Sequence, residues 1–282
     1  MPNIAETIQK ATKILLQNGI AEPRREANSL LAFALNKDKT FLIAHPEYDL
    51  TENEQKHFDE MMNRRANREP FQHITGKQEF YGLDFEVNSN VLIPRPETEL
   101  IVEHAIQILV KIESPKFCEI GTGSGCISVS ILHNVEKATA IGLDISEKAI
   151  EITNINSKKH YVSERLKLKQ SDVFAVLTDE IFDLIVSNPP YIPNEDIPNL
   201  QNEVRDFEPI NALTDGKDGL SIIENIVKNS PKFLCQKGFL LMEIGFGQAE
   251  KVEQMFSSDI WQSIKILPDL QGIPRMVKAQ VK

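Results

Sequence analysis

Seven consecutive residues, Glu119-Ile120-Gly121-Thr122-Gly123-Ser124-Gly125, constrain this chain more than any other stretch. They join an apolar segment at 117–120, short enough for a buried strand, to residues 127–133, which read as a helix. Alternate glycines let the backbone leave a strand, turn sharply and approach a bound molecule closely. Parallel strands need such crossovers through helices, so a strand, a glycine turn and a helix in that order point to an α/β sheet.

The rest of the C-terminal two thirds repeats the alternation. Strands are expected at 138–143, 166–169, 182–187 and 239–244, with helices at 147–159, 220–229 and 248–256. Two late strands, at 263–267 and 276–280, flank Gly272-Ile273-Pro274 and suit a closing hairpin. A long loop interrupted by Pro193, Pro198 and Pro209 follows the strand at 182–187. The pattern predicts a doubly wound, mostly parallel sheet with helices on both faces.

Upstream the period is helical. Ile4, Ile8, Ala11 and Leu15 share one face, with Asn18-Gly19 as a stop. A second helix opens at Pro23, and Thr51-Glu52-Asn53-Glu54 is a capping box for a third that ends at Glu69-Pro70. Leu83, Phe85 and Val87 then alternate with acids, as in a strand paired with the stretch around Phe80. The expected layout is a small helical bundle at 1–79, a β-hairpin linker at 80–93 and an α/β domain at 94–282. Within the last, a helix is expected to run from Glu97 after the stiff segment Ile93-Pro94-Arg95-Pro96.

Charge narrows the functional classes. The 282 residues carry 31 basic and 41 acidic side chains, a net charge of −10, and residues 1–93 are themselves net acidic. Affinity for nucleic acid comes mainly from Lys and Arg on phosphates, so a chain that coats DNA or RNA is disfavoured. Arg64, Arg65 and Arg68 form the one compact basic group, expected to be a solvated face or a contact for a partner. Three separated cysteines support neither a disulfide framework nor a zinc site, and no metal is expected. The N-terminus lacks a signal-peptide layout, and no apolar run approaches the ~20 residues of a membrane span, so a soluble cytoplasmic protein is expected.

The glycine turn selects its ligand partly by what it lacks. The dinucleotide fingerprint fails at Cys126 in one register and at Ser128 in the other, and no Gly-Lys-Ser/Thr triplet follows. Glu119 stands just before the turn, where a carboxylate repels pyrophosphate but suits an ammonium and a sulfonium. S-adenosylmethionine has both. Asp144 lies about 20 residues beyond Gly121, the offset at which an acid meets ribose hydroxyls, although an Asp there could also cap the following helix. Asp172-Val173 ends the next strand, where adenine would lie. Glu119, Gly121, Thr122, Gly123, Ser124, Gly125, Asp144, Asp172, Val173 and Asn188 are therefore the expected cofactor residues.

Ser187-Asn188-Pro189-Pro190-Tyr191 ends the fourth strand of this domain. A planar amino or amide nitrogen is a poor nucleophile because its lone pair is conjugated. The Asn188 side-chain oxygen and the carbonyl of a following proline can each accept one N–H, and proline brings no competing donor. Holding both hydrogens lets the nitrogen pyramidalise towards a methyl donor. Tyr191 offers a flat face for stacking. Catalysis is then positioning and fixed dipoles, with no strong base and no role for His133 or His160.

Together these motifs resemble the release-factor glutamine methyltransferases of the HemK/PrmC family. The likeness extends to Glu79-Phe80-Tyr81-Gly82, to Pro94-Arg95-Pro96-Glu97-Thr98-Glu99, to Glu208-Pro209 and to Glu243-Ile244-Gly245. It implies a seven-stranded class I methyltransferase sheet with one antiparallel strand, a helical domain that helps hold a protein substrate, and S-adenosylmethionine as cofactor. The implied reaction is methylation of the glutamine side-chain amide in the Gly-Gly-Gln tripeptide of class I peptide chain release factors, part of translation termination. Asn188, Pro189, Pro190 and Tyr191 are the expected catalytic and substrate residues. Val173 departs from members with an aromatic residue at that place.

Arg95 and Glu97 admit two assignments: a pocket mouth touching cofactor or substrate, or a solvated Arg beside a Glu that serves a helix N-terminus. On the first, Arg95→Ala impairs the reaction without altering the Tm. Rival activities are methylation of a glutamine in a ribosomal protein and, less in keeping with the charge, methylation of adenine amino groups in DNA.

Overall fold

The computed structural model describes residues 2–282. Its residues fall into two compact units. The first comprises everything up to Lys77 together with Gln201–Phe207, and the second is Gln78–Leu200 with Glu208–Lys282.

In the first unit, short-range capping sets where the helices begin. Asn3 and Glu6 form a reciprocal capping box that opens helix Ile4–Gln17, and Thr51 with Glu54 does the same for Glu52–Ala66. Pro23 starts helix Pro23–Ala34. Two short helices, Lys39–Ala44 and Phe71–Thr75, were not evident from periodicity, being too brief to show a repeat. Ile4, Leu15, Leu30, Leu31 and Phe58 form the fully buried centre of this unit.

The arginine group is not the solvated face expected of it. Arg64 donates to Glu69 at 2.8 Å, Arg65 is buried between Glu26 and Glu203, and Arg68 donates to Glu203 at 2.7 Å. Glu203 belongs to the helix Asn202–Phe207, inside the proline-interrupted stretch expected to be loop. Together Glu26, Glu69 and Glu203 neutralise the three cations, and no basic patch is left there for a polyanion.

A hairpin of β1 (Lys77–Phe80) and β2 (Leu83–Glu86), all but Lys77 in the second unit, comes next in the chain. Tyr81 and Gly82 both have positive φ, the signature of a type I′ turn. The Glu99 carboxylate accepts the Tyr81 N–H at 2.9 Å and so ties the turn to helix Glu99–Leu109. A 3₁₀ turn at Pro96–Thr98 precedes that helix, which therefore starts later than the expected Glu97.

The large sheet contains β3 (Lys116–Ile120), β4 (Thr139–Asp144), β5 (Leu166–Gln170), β6 (Phe182–Ser187), β7 (Leu234–Glu243), β8 (Trp261–Pro268) and β9 (Pro274–Val281). Their order is β5-β4-β3-β6-β7-β9-β8, with β9 antiparallel to both neighbours and the other pairings parallel. Successive strand residues feed opposite cores. Phe117, Leu184 and Leu241 pack with Val102, Val129 and Ile131 on one face; Cys118, Ile185 and Leu240 pack with Ile223, Ile226 and Val252 on the other. This is the expected seven-stranded doubly wound α/β fold. The chain reverses its direction of winding between β3 and β6, the position at which such sheets open a crevice for ligands.

Candidate active site

The crevice at that reversal is a cleft with about 1000 Å³ of space, part of it open to solvent. One wall is the glycine turn after β3. The Gly121 and Thr122 N–H groups donate to the Leu143 carbonyl at 2.8 and 3.1 Å, folding the turn over the end of β4. Gly125 starts helix Cys126–Asn134 at φ +80°, and a Cβ on it would stand 2.7 Å from Thr153 Cγ2. Glycine is required there on both counts. Gly125 itself does not line the cleft, whereas Gly121, Thr122, Gly123 and Ser124 do.

Two carboxyl groups face this wall. Asp144 Oδ2 accepts the Gly123 N–H and Oδ1 the Ser146 N–H, each at 2.9 Å. Ser146, not Asp144, caps helix Glu147–Lys159, so the capping interpretation of Asp144 fails. Glu119 is 1% exposed and its Oε2 accepts the Ser128 N–H at 3.0 Å, at the positive end of helix Cys126–Asn134. Burial raises both acids, Glu119 to about 8, against hydrogen bonds that pull the other way. Among the described residues neither is in an ion pair. Two buried acids without a cation, on a cleft walled by glycine backbone, fit a ligand that brings an ammonium group and hydroxyls.

Asp172 and Val173 line the far end of the cleft after β5. Val173 is held at φ +48°, an outlier for a β-branched residue, with its side chain buried. Behind the turn, the fully buried Asn156 donates to the carbonyls of Glu86 and Ser124 at 2.9 and 2.8 Å and accepts the Glu86 N–H at 2.7 Å. This side chain locks the glycine turn to the hairpin. A polar residue on the buried face of an otherwise amphipathic helix was its only trace in the sequence.

The opposite wall is Ser187, Asn188, Pro189 and Pro190, at the end of β6. Ser187 Oγ donates to the Ile120 carbonyl at 2.9 Å, and a Cβ on Gly121 would lie 3.9 Å from the Asn188 carbonyl oxygen, so the two walls meet closely. Asn188 Nδ2 donates to Thr98 Oγ1 at 3.1 Å, and Thr98 donates to the buried Glu243 at 2.7 Å. Burial pushes the Glu243 carboxyl up, while the hydroxyls of Thr98 and Tyr191 and the charge of Arg275 pull it back. Thr98 and Glu243 were not singled out as site residues in the sequence, because their meeting depends on the sheet.

Tyr191 does not line the cleft. Its hydroxyl donates to Glu243 Oε1 at 2.9 Å, its carbonyl accepts from Gln248 at 2.9 Å, and a Cβ on Gly219 would collide with that carbonyl at 2.1 Å. Arg95 does line the cleft and donates to Glu208 at 2.6 Å, a carboxylate whose side chain is only 1% exposed. It is thus a paired charge and not a solvated one. Glu97 is half-buried and away from the cleft lining. Pro209, Asn211 and Ala212 complete the wall.

Residues 6–76 match a family described as the PrmC N-terminal domain, and residues 113–264 match a methyltransferase domain. A release factor glutamine methyltransferase of Koribacter versatilis is 37% identical over 97% of this chain and 97% of its own. One from Geobacter sulfurreducens is 40% identical over 95% of this chain and 93% of its own. A crystal structure of a methyltransferase from Pyrococcus furiosus superposes with a TM-score of 0.54 at 16% identity, covering 82% of this chain and 99% of that one, a likeness of fold. With a glycine-walled cleft at the sheet reversal, Asn-Pro-Pro opposite it and relatives matched almost end to end, the chain belongs to the release factor glutamine methyltransferase family, whose cofactor is S-adenosylmethionine.

Proposed function

We propose that this chain methylates the side-chain amide nitrogen of the glutamine in the Gly-Gly-Gln tripeptide of class I peptide chain release factors, in the cytoplasm. The observation that carries this reading is Asn188-Pro189-Pro190 lining the same cleft as the glycine turn. The names of the near-full-length relatives support the substrate.

S-adenosylmethionine, when bound, supplies an electrophilic methyl carbon on a sulfonium. Gly121, Gly123 and Asp144 would hold its backbone-facing and ribose parts, Glu119 its ammonium, and Asp172 with Val173 its adenine. Asn188 Oδ1 and the Pro189 carbonyl accept the two amide hydrogens, and Pro190 has no N–H to compete. That grip opposes conjugation and aims the nitrogen lone pair. The proton leaves once the nitrogen has gained its methyl group, so a strong base is unnecessary. Tyr191 acts from behind the wall, holding the Asn-Pro-Pro segment through Glu243 and Gln248. The helical unit helps to hold the protein substrate.

The test is to incubate the purified chain and S-adenosylmethionine with a release factor whose Gly-Gly-Gln glutamine is intact or replaced. One added methyl group on the intact glutamine, and none on the replaced one, is expected. Methyl incorporation into ribosomal protein or DNA instead, or into nothing, would refute the proposal.

A further inference from the structure

Asn188 presents two ends of nearly equal shape, and only one serves the reaction. If Oδ1 faces the cleft it accepts a substrate N–H; if Nδ2 faces the cleft, donor meets donor. Something in the protein must decide between them.

Glu243 ends β7 one residue beyond Met242, which pairs with Ser187 of β6, so Glu243 lies beside Asn188. Glu243 accepts at both of its carboxyl oxygens. Its Oε1 takes the Tyr191 hydroxyl proton and its Oε2 the Thr98 hydroxyl proton, at 2.9 and 2.7 Å. Thr98 has then spent its one proton, and its oxygen can only accept from Asn188. The 3.1 Å contact must therefore be made by Nδ2, and Oδ1 is left for the cleft. The polarity of the chain follows from Glu243 accepting at both oxygens.

We propose that Glu243 is a positioning residue which, through Thr98, fixes the Asn188 amide with its oxygen towards the substrate. Tyr191 keeps Glu243 from turning by occupying its second oxygen. The effect on turnover rests on the methyl-transfer reading above; the orientation of the amide does not.

Glu243→Gln replaces an acceptor by a group that can also donate, so the polarity is no longer imposed. Thr98→Val removes the hydroxyl at nearly constant shape. Both variants should lower kcat roughly tenfold or more, because a positioned dipole at the reacting centre is lost. The Kd for S-adenosylmethionine should stay within about twofold, since neither Thr98 nor Glu243 is among the residues that would hold it. Thr98→Ser, which restores the hydroxyl, should recover most of the loss. A second measurement needs no substrate: in the full-length 15N-labelled protein, an Asn188 side-chain proton should exchange slowly, and this protection should vanish in Thr98→Val. Equal kcat in wild type, Glu243→Gln and Thr98→Val would overturn the proposal, as would an Asn188 amide that exchanges equally fast in wild type and Thr98→Val. A wild-type chain that leaves release factor unmethylated but shows the protected amide would refute the proposed function and support the relay.

Discussion

Arg95 Nη2 lies 2.6 Å from Glu208 Oε1, joining the Pro-Arg-Pro segment to the residue at which the chain re-enters its second unit. The two line or flank the same cleft wall, so the pair serves both architecture and site.

Removing Arg95 strands a buried carboxylate. Arg95→Ala should therefore lower stability by on the order of 2 kcal/mol, less than the ~3–5 typical of fully buried pairs. The discount reflects an Arg95 side chain that is 32% exposed. This replaces the expectation of an unchanged Tm. Arg95→Ala combined with Glu208→Gln should regain part of the loss in denaturant titration, because no charge is then buried alone.

Gly125→Ala should damage the fold and cofactor binding together. The left-handed backbone and the 2.7 Å approach of Thr153 Cγ2 both oppose a Cβ, at a combined cost of about 2 kcal/mol or more. Thermal unfolding and calorimetric titration of S-adenosylmethionine would measure the two effects. Adding Thr153→Ser should relieve the collision but not the backbone strain.

Glu119 makes a prediction about pH. Its carboxyl keeps a proton in the folded chain up to about pH 8 but has an ordinary value of 4.5 when unfolded. Between those values the folded state binds more protons, so stability falls as pH rises. Asp144 and Glu243, also raised by burial, act in the same sense. Glu119→Gln should flatten the decline of Tm with pH across this window in the cofactor-free protein. It should also weaken S-adenosylmethionine binding, since no carboxylate remains for the ammonium. An unchanged slope would show that Glu119 is ionised in the fold.

Asn188→Ala separates binding from chemistry. S-adenosylmethionine affinity should stay within a few-fold while kcat falls by ~10²–10³, the cost of one positioned dipole at a reacting centre. Equal losses in Kd and kcat would instead make Asn188 a cofactor contact.

Glu203→Ala should loosen the first unit, because Arg68 loses its carboxylate and Arg65 one of its two. Limited proteolysis should cut faster within 194–207, and the unfolding midpoint should drop.

Local chemistry made much of this protein readable before any coordinates. Helix Glu147–Lys159 and strand Phe182–Ser187 have the expected limits, because periodicity and flanking polar or proline residues act over a few positions. The glycine turn and Asn-Pro-Pro were legible for the same reason, since each carries its backbone chemistry within itself. Tertiary structure alone decided which distant side chains meet. Thr98 reaches Glu243 and Asn188 because β6 and β7 lie side by side, and Asn156 reaches both the hairpin and the glycine turn through helix packing. Three arginines that look basic along the chain are neutralised by Glu26, Glu69 and Glu203, two of which lie far away in sequence. Hydrogen bonds and ion pairs act over a few ångströms of space, and only the folded topology turns separation along the chain into distance.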